Sequence, residues 1–173
     1  NIPALTGVDT RALTRHLRSA GSMRAAIAPA TQSHQDTMER IKAHPLMEGL
    51  DLATDVSTDA VYETPAIGTR RFHVVAYDFG IKRNSQRLLS EAGCDITTVP
   101  ANTPTEDIVA LKPDGLFISN GPGDPEAVPH ALETIRQLAG NNVPVFGICL
   151  GHQLIARAFG GQTYKLLYGH RAG

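Results

Sequence analysis

From about residue 72 onward, strand-length apolar runs alternate with helix-length amphipathic stretches, and this alternation restricts the possible folds more than any other feature of the sequence. Runs rich in Val, Ile and Phe with helices between them predict crossover units and a parallel sheet that is buried on both faces. The predicted fold class is therefore α/β, with a doubly wound, mostly parallel sheet. Such open sheets bind ligands beyond the carboxyl ends of their strands, where we expect the functional residues.

The pattern also predicts where the individual elements lie. The predicted helices are 82–92, 105–111, 126–139 and 150–159, and the predicted strands are 72–77, 95–99, 115–119 and 143–148, with a further strand starting over 163–167.

The residues before the sheet have a helical pattern of their own. Asp9 or Thr10 can cap a helix whose Leu13 and Leu17 share one face, and a second helix is predicted over 35–43. Residues 54–69 are rich in Thr, Asp, Pro and Gly with scattered apolar residues, which is typical of a linker. We therefore predict part of a smaller N-terminal domain over 1–53, a linker over 54–71 and the α/β domain over 72–173.

Composition excludes several classes of partner. Lys and Arg total 16 against 17 for Asp and Glu, so no positive excess favours nucleic acid or anionic lipid. The apolar runs are too short to span a membrane, and two cysteines suit a reducing compartment, so a cytoplasmic protein is expected. Because the chain starts at Asn1 and stops at Gly173 without an evident helix end, we expect an internal fragment that leaves the α/β domain incomplete at its C-terminus.

The segment VPVFGICLGHQ at 143–153 is a candidate nucleophile turn. Cys149 stands between Gly147 and Gly151 where a buried strand is predicted to pass into a helix, which is the G-x-nucleophile-x-G pattern with Cys at its centre. Such a turn holds the nucleophile in a strained backbone conformation and needs small flanking residues. A thiol at a helix N-terminus also faces unpaired N–H groups and the helix dipole, which favour the thiolate. The alternative is that Cys149 is a buried small apolar residue, the role assigned here to Cys94.

The segment SNGPGDP at 119–125 is a candidate oxyanion loop. It follows a predicted strand, and in a parallel sheet such a loop can lie beside the nucleophile turn. Gly121 and Gly123 let the backbone approach a ligand closely, and fixed N–H donors from this loop and from Leu150 are candidates to stabilise an oxyanion. The alternative is a plain turn without a ligand. The triplet Asp78-Phe79-Gly80 is interpreted as a strand end and turn.

These two segments together resemble the class I (triad) glutamine amidotransferases, which carry both NGPGDP, here 120–125, and GICLGHQ, here 147–153. Within that class, VVAYDFGIKRN at 74–84 and GVDTRALTRHLR at 7–18 resemble the small-subunit family of carbamoyl-phosphate synthetases, and the resemblance covers essentially the whole chain.

The resemblance implies a function and a set of site residues. Cys149 would attack the side-chain amide of glutamine and release ammonia, while Gly121, Gly123, Leu150 and Gln153 would bind the glutamine. The ammonia would pass to a large subunit, which makes carbamoyl phosphate from bicarbonate and ATP for arginine and pyrimidine synthesis. No metal or cofactor is expected in this chain, because ATP and its metal ion would bind the large subunit. The resemblance also places the catalytic His and Glu in a segment after Gly173.

No histidine of the chain is assigned as the general base. His152 is nearest to Cys149 in sequence, but three residues along a helix its side chain is expected to pack rather than reach the thiol. The other histidines are assigned to exposed helix faces, strand ends or a polar loop: His16, His34, His44, His73, His130 and His170. Two alternatives stay open, a cysteine hydrolase of related fold without ammonia transfer and a non-catalytic scaffold domain.

Overall fold

The computed structural model describes residues 2–169, which form two compact units. The smaller unit comprises residues 2–46 and 164–169, and the larger one comprises residues 47–163. The smaller unit contains helices α1, Thr10–Ala20, and α2, His34–Ala43. As predicted, the Asp9 carboxylate caps α1 by accepting a hydrogen bond from the Ala12 amide at 2.9 Å.

The larger unit holds a five-stranded sheet and its helices. The strands are β1, Tyr62–Thr64; β2, Phe72–Asp78; β3, Cys94–Pro100; β4, Gly115–Ile118; and β5, Val145–Gly147. The helices are α3, Leu52–Val56; α4, Arg83–Glu91; α5, Thr105–Ala110; α6, His130–Gly140; and α7, Leu150–Ala158.

The sheet has the predicted doubly wound and mostly parallel topology. Its strand order is β1-β3-β2-β4-β5, in which β2 pairs in parallel with both β3 and β4, and β4 pairs in parallel with β5. The chain leaves β2 toward one edge and crosses back to β4, so the order reverses between β2 and β4. Ligand sites of open α/β sheets lie at such a reversal, beyond the carboxyl ends of the strands.

Helices α5, α6 and α7 cover one face of the sheet, and α4 covers part of the other, where Phe146 of β5 stays 63% exposed. One face contributes Val75, Tyr77, Leu116 and Ile118 to a core shared with residues of α5, α6 and α7. The other face contributes Val74, Ala76, Ile96 and Phe117 to a second cluster, which Leu89 of α4 contacts. The central strands β2 and β4 are therefore packed on both sides, as predicted for a parallel sheet, whereas β5 is not.

The segment predicted as a linker, 54–71, is partly built into the sheet. It includes the end of α3 and all of β1, which pairs antiparallel with β3, Tyr62 opposite Thr98. The Gln86 side chain of α4 stabilises this edge of the sheet by donating hydrogen bonds to the Tyr62 hydroxyl at 2.7 Å and the Thr98 hydroxyl at 3.0 Å. A three-residue edge strand has too few residues for a recognisable alternation, so its polar composition predicted a linker.

Two other predicted elements differ from the structure. The predicted helix 126–139 is divided into a 3₁₀ turn, Pro125–Ala127, and α6, because the ring of Pro129 disfavours a helical conformation at Val128. The predicted strand at 163–167 is not a strand. Within the described residues this run has no neighbouring strand to pair with, and it belongs mostly to the smaller unit, where the Leu167 carbonyl accepts a hydrogen bond from the Ser22 amide.

Among residues 2–169, no helix is both long enough and apolar enough to cross a membrane.

Tyr77 is a core residue whose ionisation makes the stability of the protein depend on pH. Its side chain is fully buried, and its hydroxyl donates a hydrogen bond to the Thr103 carbonyl at 2.7 Å. Burial raises the pKa of Tyr77 from 10.0 to about 12, although its side-chain hydrogen bond with Thr134 acts in the opposite direction. A raised pKa means that the unfolded state loses this proton first, so stability falls as pH rises from 10 toward 12.

We therefore expect Tyr77→Phe to lower the free energy of unfolding by about 1 kcal/mol at pH 8, because the Thr103 carbonyl loses its donor. Above pH 10 the stability of the variant should fall less steeply with pH than that of the unsubstituted protein, because Phe does not titrate. The two slopes should differ by up to about 1.4 kcal/mol per pH unit. Urea unfolding at a series of pH values measures both effects. Parallel loss of stability in the two proteins above pH 10 would contradict this prediction.

Candidate active site

Cys149 occupies the turn between β5 and α7 in a strained backbone conformation. Its φ is 54° and its ψ is −110°, which lies outside the left-handed helical region that non-glycine residues sometimes occupy. A residue held in such a region costs on the order of 1–3 kcal/mol and persists only where its surroundings impose it. The predicted strain at this position is confirmed. The side chain is exposed, so the alternative of a buried structural cysteine is wrong.

Both glycines that flank Cys149 are needed for packing. A Cβ on Gly147 would lie 2.5 Å from the carbonyl carbon of Gly151 and 2.8 Å from the amide nitrogen of His152. A Cβ on Gly151 would collide with the carbonyl oxygen of Ile118 at the end of β4. Gly147 therefore lets the end of β5 lie against the first turn of α7, and Gly151 lets that turn lie against the end of β4. Both positions need to lack a side chain, as the sequence pattern predicts.

Backbone hydrogen bonds fasten the turn to β4 on both sides of Cys149. The Ile148 amide donates to the Ile118 carbonyl at 3.1 Å, and the Gly151 amide donates to the Ser119 carbonyl at 3.1 Å. The Leu150 side chain is buried and packs against Gly121. Cys149 is thus held between two residues that are each bonded to the end of the neighbouring strand.

The loop 119–125 lies beside this turn, as predicted, but its glycines contact the chain itself. A Cβ on Gly121 would collide with the Phe79 carbonyl oxygen and lie 2.9 Å from Cδ2 of Leu150. Gly123 has a φ of 89°, and a Cβ there would lie 2.8 Å from the Leu50 carbonyl oxygen. Both glycines are therefore required for local packing, whereas their predicted contact with a ligand stays a prediction.

The predicted substrate-binding residues have different surroundings. Leu150, which follows Cys149, is in contact with Gly121, whereas Gly123 lies farther along the loop. Gln153 is exposed on the first turn of α7, and its backbone amide donates a hydrogen bond to the Cys149 carbonyl at 3.1 Å. In the described part of the chain the amide N–H groups of Leu150, Gly121 and Gly123 donate no hydrogen bond. Their predicted contact with an oxyanion stays a prediction.

A turn that sequence analysis placed outside the site packs directly against it. Gly80 follows β2 with a φ of 119°, and a Cβ there would lie 3.5 Å from the Gly121 Cα. The sequence signal for this contact is the triplet Asp78-Phe79-Gly80 at the carboxyl end of β2. Strand β2 lies beside β4, the strand that the loop 119–125 follows. That signal could not be interpreted before the strand order was known.

The histidines of the described residues lie in several different environments. His152 is exposed, so its predicted packing role is wrong, because Gly151 and Leu154 form the buried face of α7 instead. His73 and His130 hydrogen-bond to the Thr97 hydroxyl and the Ala101 carbonyl, and no hydrogen bond joins a histidine within 2–169 to the Cys149 thiol. His170 lies outside the described residues.

An exposed thiol beside unpaired amide donors suits attack on a carbonyl carbon with stabilisation of the resulting oxyanion. Over the residues that the structure describes, no group of three or more His, Cys, Asp or Glu side chains is placed to hold a metal ion.

The chain belongs to the class-I glutamine amidotransferase family, whose model matches residues 75–173. This match confirms the family resemblance and agrees with the α/β sheet described above.

Curated relatives resemble a longer stretch of the chain. The carbamoyl phosphate synthase small chain of Syntrophotalea carbinolica is 48% identical over 184 residues, which cover 99% of this chain and 49% of the relative. The chloroplastic carbamoyl phosphate synthase small chain of Oryza sativa subsp. japonica is 46% identical over 184 residues, which cover 100% of this chain and 41% of the relative. The chain thus spans about half the length of the curated relatives it matches.

Among solved structures, a putative GMP synthase subunit from Thermoplasma acidophilum is 27% identical with a TM-score of 0.44, covering 54% of this chain and 47% of that one.

The collision at Gly151 predicts the effect of a single methyl group. Gly151→Ala should destabilise the protein by about 1–3 kcal/mol, because α7 must move away from the Ile118 carbonyl. Gly140→Ala is the matched control, since a Cβ at this end of α6 meets no atom within 4 Å. Urea unfolding of the two variants tests this, and equal stability of both would contradict the assigned contact.

The two cysteines should differ in reactivity. Cys94 is buried, and burial raises the pKa of its thiol while the nearby Arg71 lowers it, whereas Cys149 is exposed. We expect iodoacetamide at neutral pH to alkylate Cys149 and to reach Cys94 only after denaturation. Mass spectrometry of the labelled peptides measures this, with Cys149→Ser as the control that should remain unlabelled in the native state. Comparable labelling of both native cysteines would contradict the structure.

Proposed function

We propose that this chain is the glutamine-hydrolysing part of a carbamoyl-phosphate synthetase small subunit. The observation that carries the proposal is the strained, exposed Cys149, held at the β5–α7 turn beside a loop with unpaired amide donors. Membership of the class-I glutamine amidotransferase family and the names of the curated relatives support the same function.

The proposed reaction proceeds through a thioester. The Cys149 sulfur attacks the side-chain carbonyl carbon of glutamine, and the oxygen becomes an oxyanion that the amides of Leu150 and of the 119–125 loop stabilise. The carbon–nitrogen bond then breaks, ammonia leaves with a proton from a general acid, and water hydrolyses the thioester to glutamate. The family resemblance implies that a His after Gly173, accompanied by a Glu, would supply this proton and then activate the water. Gly121, Gly123, Leu150 and Gln153 are the proposed contacts to glutamine.

The proposed partner is the large synthetase subunit. It would take up the ammonia and use bicarbonate and ATP to make carbamoyl phosphate, which serves arginine and pyrimidine synthesis. ATP and its metal ion would bind there, and this chain would need no cofactor of its own. A cytoplasmic location is part of the same proposal, although the rice relative is described as chloroplastic.

The division of labour between the two subunits can be tested by one substitution. In the intact complex, Cys149→Ser should reduce glutamine-dependent carbamoyl phosphate synthesis by several orders of magnitude, because the nucleophile is lost. Synthesis from added ammonium should persist, because only the ammonia source is removed. Product formation from each nitrogen source is the measurement.

Two results would contradict the proposal. Equal loss of both activities would show that Cys149 is not confined to glutamine hydrolysis. Glutamate release without any coupled synthesis in the unsubstituted complex would favour a cysteine hydrolase without ammonia transfer.

A further inference from the structure

We propose that Asp78 is a positioning residue for glutamine hydrolysis, whose buried carboxylate fixes the turn 78–81 against which the candidate oxyanion loop 119–125 packs. This inference rests on the proposed function. The Asp78 side chain has no predicted role in the reaction, and it lies where the strand order reverses between β2 and β4.

The Asp78 carboxylate is buried, with 5% of the residue exposed, and it accepts three backbone hydrogen bonds. Oδ1 accepts from the amides of Gly80 at 2.8 Å and Ile81 at 2.7 Å. Oδ2 accepts from the amide of Thr58 at 2.9 Å. Burial of a carboxylate is costly unless such donors compensate it, so the carboxylate and its three partners form one coupled arrangement.

The turn that Asp78 organises is hydrogen-bonded to the loop at two points. The Phe79 amide donates to the Ser119 hydroxyl oxygen at 2.9 Å. The Asn120 side-chain amide donates to the Gly80 carbonyl at 2.8 Å. Ser119 in turn accepts the Gly151 amide through its carbonyl, so turn, loop and nucleophile helix are connected through one residue.

The turn and the loop are also in direct van der Waals contact. A Cβ on Gly80 would lie 3.5 Å from the Gly121 Cα and 3.5 Å from the Pro122 Cδ. On the loop side, Gly121 lies directly over the Phe79 carbonyl. A shift of the turn therefore displaces the unpaired amide donors of the loop. Misplacement by about 1 Å can reduce a catalysed rate by about 100-fold.

The substitution Asp78→Asn is informative because both carboxylate oxygens accept hydrogen bonds. An asparagine replaces one acceptor by an NH₂ group, which must then face either the Thr58 amide or the amides of Gly80 and Ile81. In either orientation a donor faces a donor, so the coupled arrangement of the side chain and its three backbone partners is disrupted while the size of the side chain is almost unchanged.

The test compares two alkylating reagents on the intact complex. A glutamine analogue with a chloroketone in place of its carboxamide needs the loop to hold its carbonyl oxygen while the Cys149 sulfur displaces chloride. Iodoacetamide displaces iodide at the same sulfur without that requirement. We expect Asp78→Asn to slow labelling by the analogue by about 10- to 100-fold and to leave iodoacetamide labelling unchanged.

Asp95→Asn is the matched control. The Asp95 carboxylate also accepts a backbone amide, that of Ala66 at 2.8 Å, and pairs with Arg70 at 3.0 Å, but it lies near the amino end of β3. This variant should be labelled by both reagents at the unsubstituted rate. Equal slowing in Asp95→Asn would attribute the effect to general destabilisation and overturn the proposal.

The remaining outcomes separate this inference from the function on which it rests. If Asp78→Asn is labelled by the analogue at the unsubstituted rate, or is slowed equally with both reagents, Asp78 is not a positioning residue. If glutamine fails to protect unsubstituted Cys149 from the analogue, the proposed function itself is wrong. If Asp78→Asn does not fold, Asn120→Ala decides, because it removes only the bond to the Gly80 carbonyl. Unchanged analogue labelling in that variant would overturn the proposal.

Discussion

The candidate site depends on two backbone hydrogen bonds that join the β5–α7 turn to the end of β4. They run from the Ile148 and Gly151 amides to the Ile118 and Ser119 carbonyls, one on each side of Cys149. Each such bond contributes about 0.5–1.5 kcal/mol, so together they are comparable with the strain of about 1–3 kcal/mol at Cys149. Burial of Leu150 and Leu154 on α7 adds to them. These contacts thus hold Cys149 in a backbone conformation that is unfavourable by itself, with the thiol exposed to solvent.

The position of the site follows from the strand order. Crossovers in opposite directions from β2 bring the turn after β2 and the loop after β4 together at one end of the sheet, and β5 adds the nucleophile turn beside them. The contacts among these three segments involve glycines at close approach, namely Gly80, Gly121 and Gly151. A site whose hydrogen-bond donors are backbone amides requires these segments to be in contact, because a backbone amide cannot extend toward a ligand as a long side chain can.

Some residues that the sequence marked as functional turned out to have structural reasons as well. The glycines at 121 and 123 were predicted from the need for a ligand to approach, yet each contacts the chain itself. His152 was expected to pack and is exposed instead, because α7 uses Gly151 and Leu154 to contact the sheet. A pattern of residue types indicates that space is short at a position. It does not indicate what occupies that space.

Four features could be predicted from the residues alone: the alternation of strands and helices, the capped helix at Thr10, the strained cysteine turn between two glycines and the family of the chain. These features are local, because periodicity, capping and steric demand act over a few neighbouring residues. Three features became visible only in the folded chain: residues 62–64 form a sheet edge, residues 163–167 do not form a strand, and the turn held by Asp78 is hydrogen-bonded to the loop that follows β4. Each of these depends on which distant segment lies alongside, since hydrogen bonding between strands and burial of a carboxylate need partners that are far away in sequence.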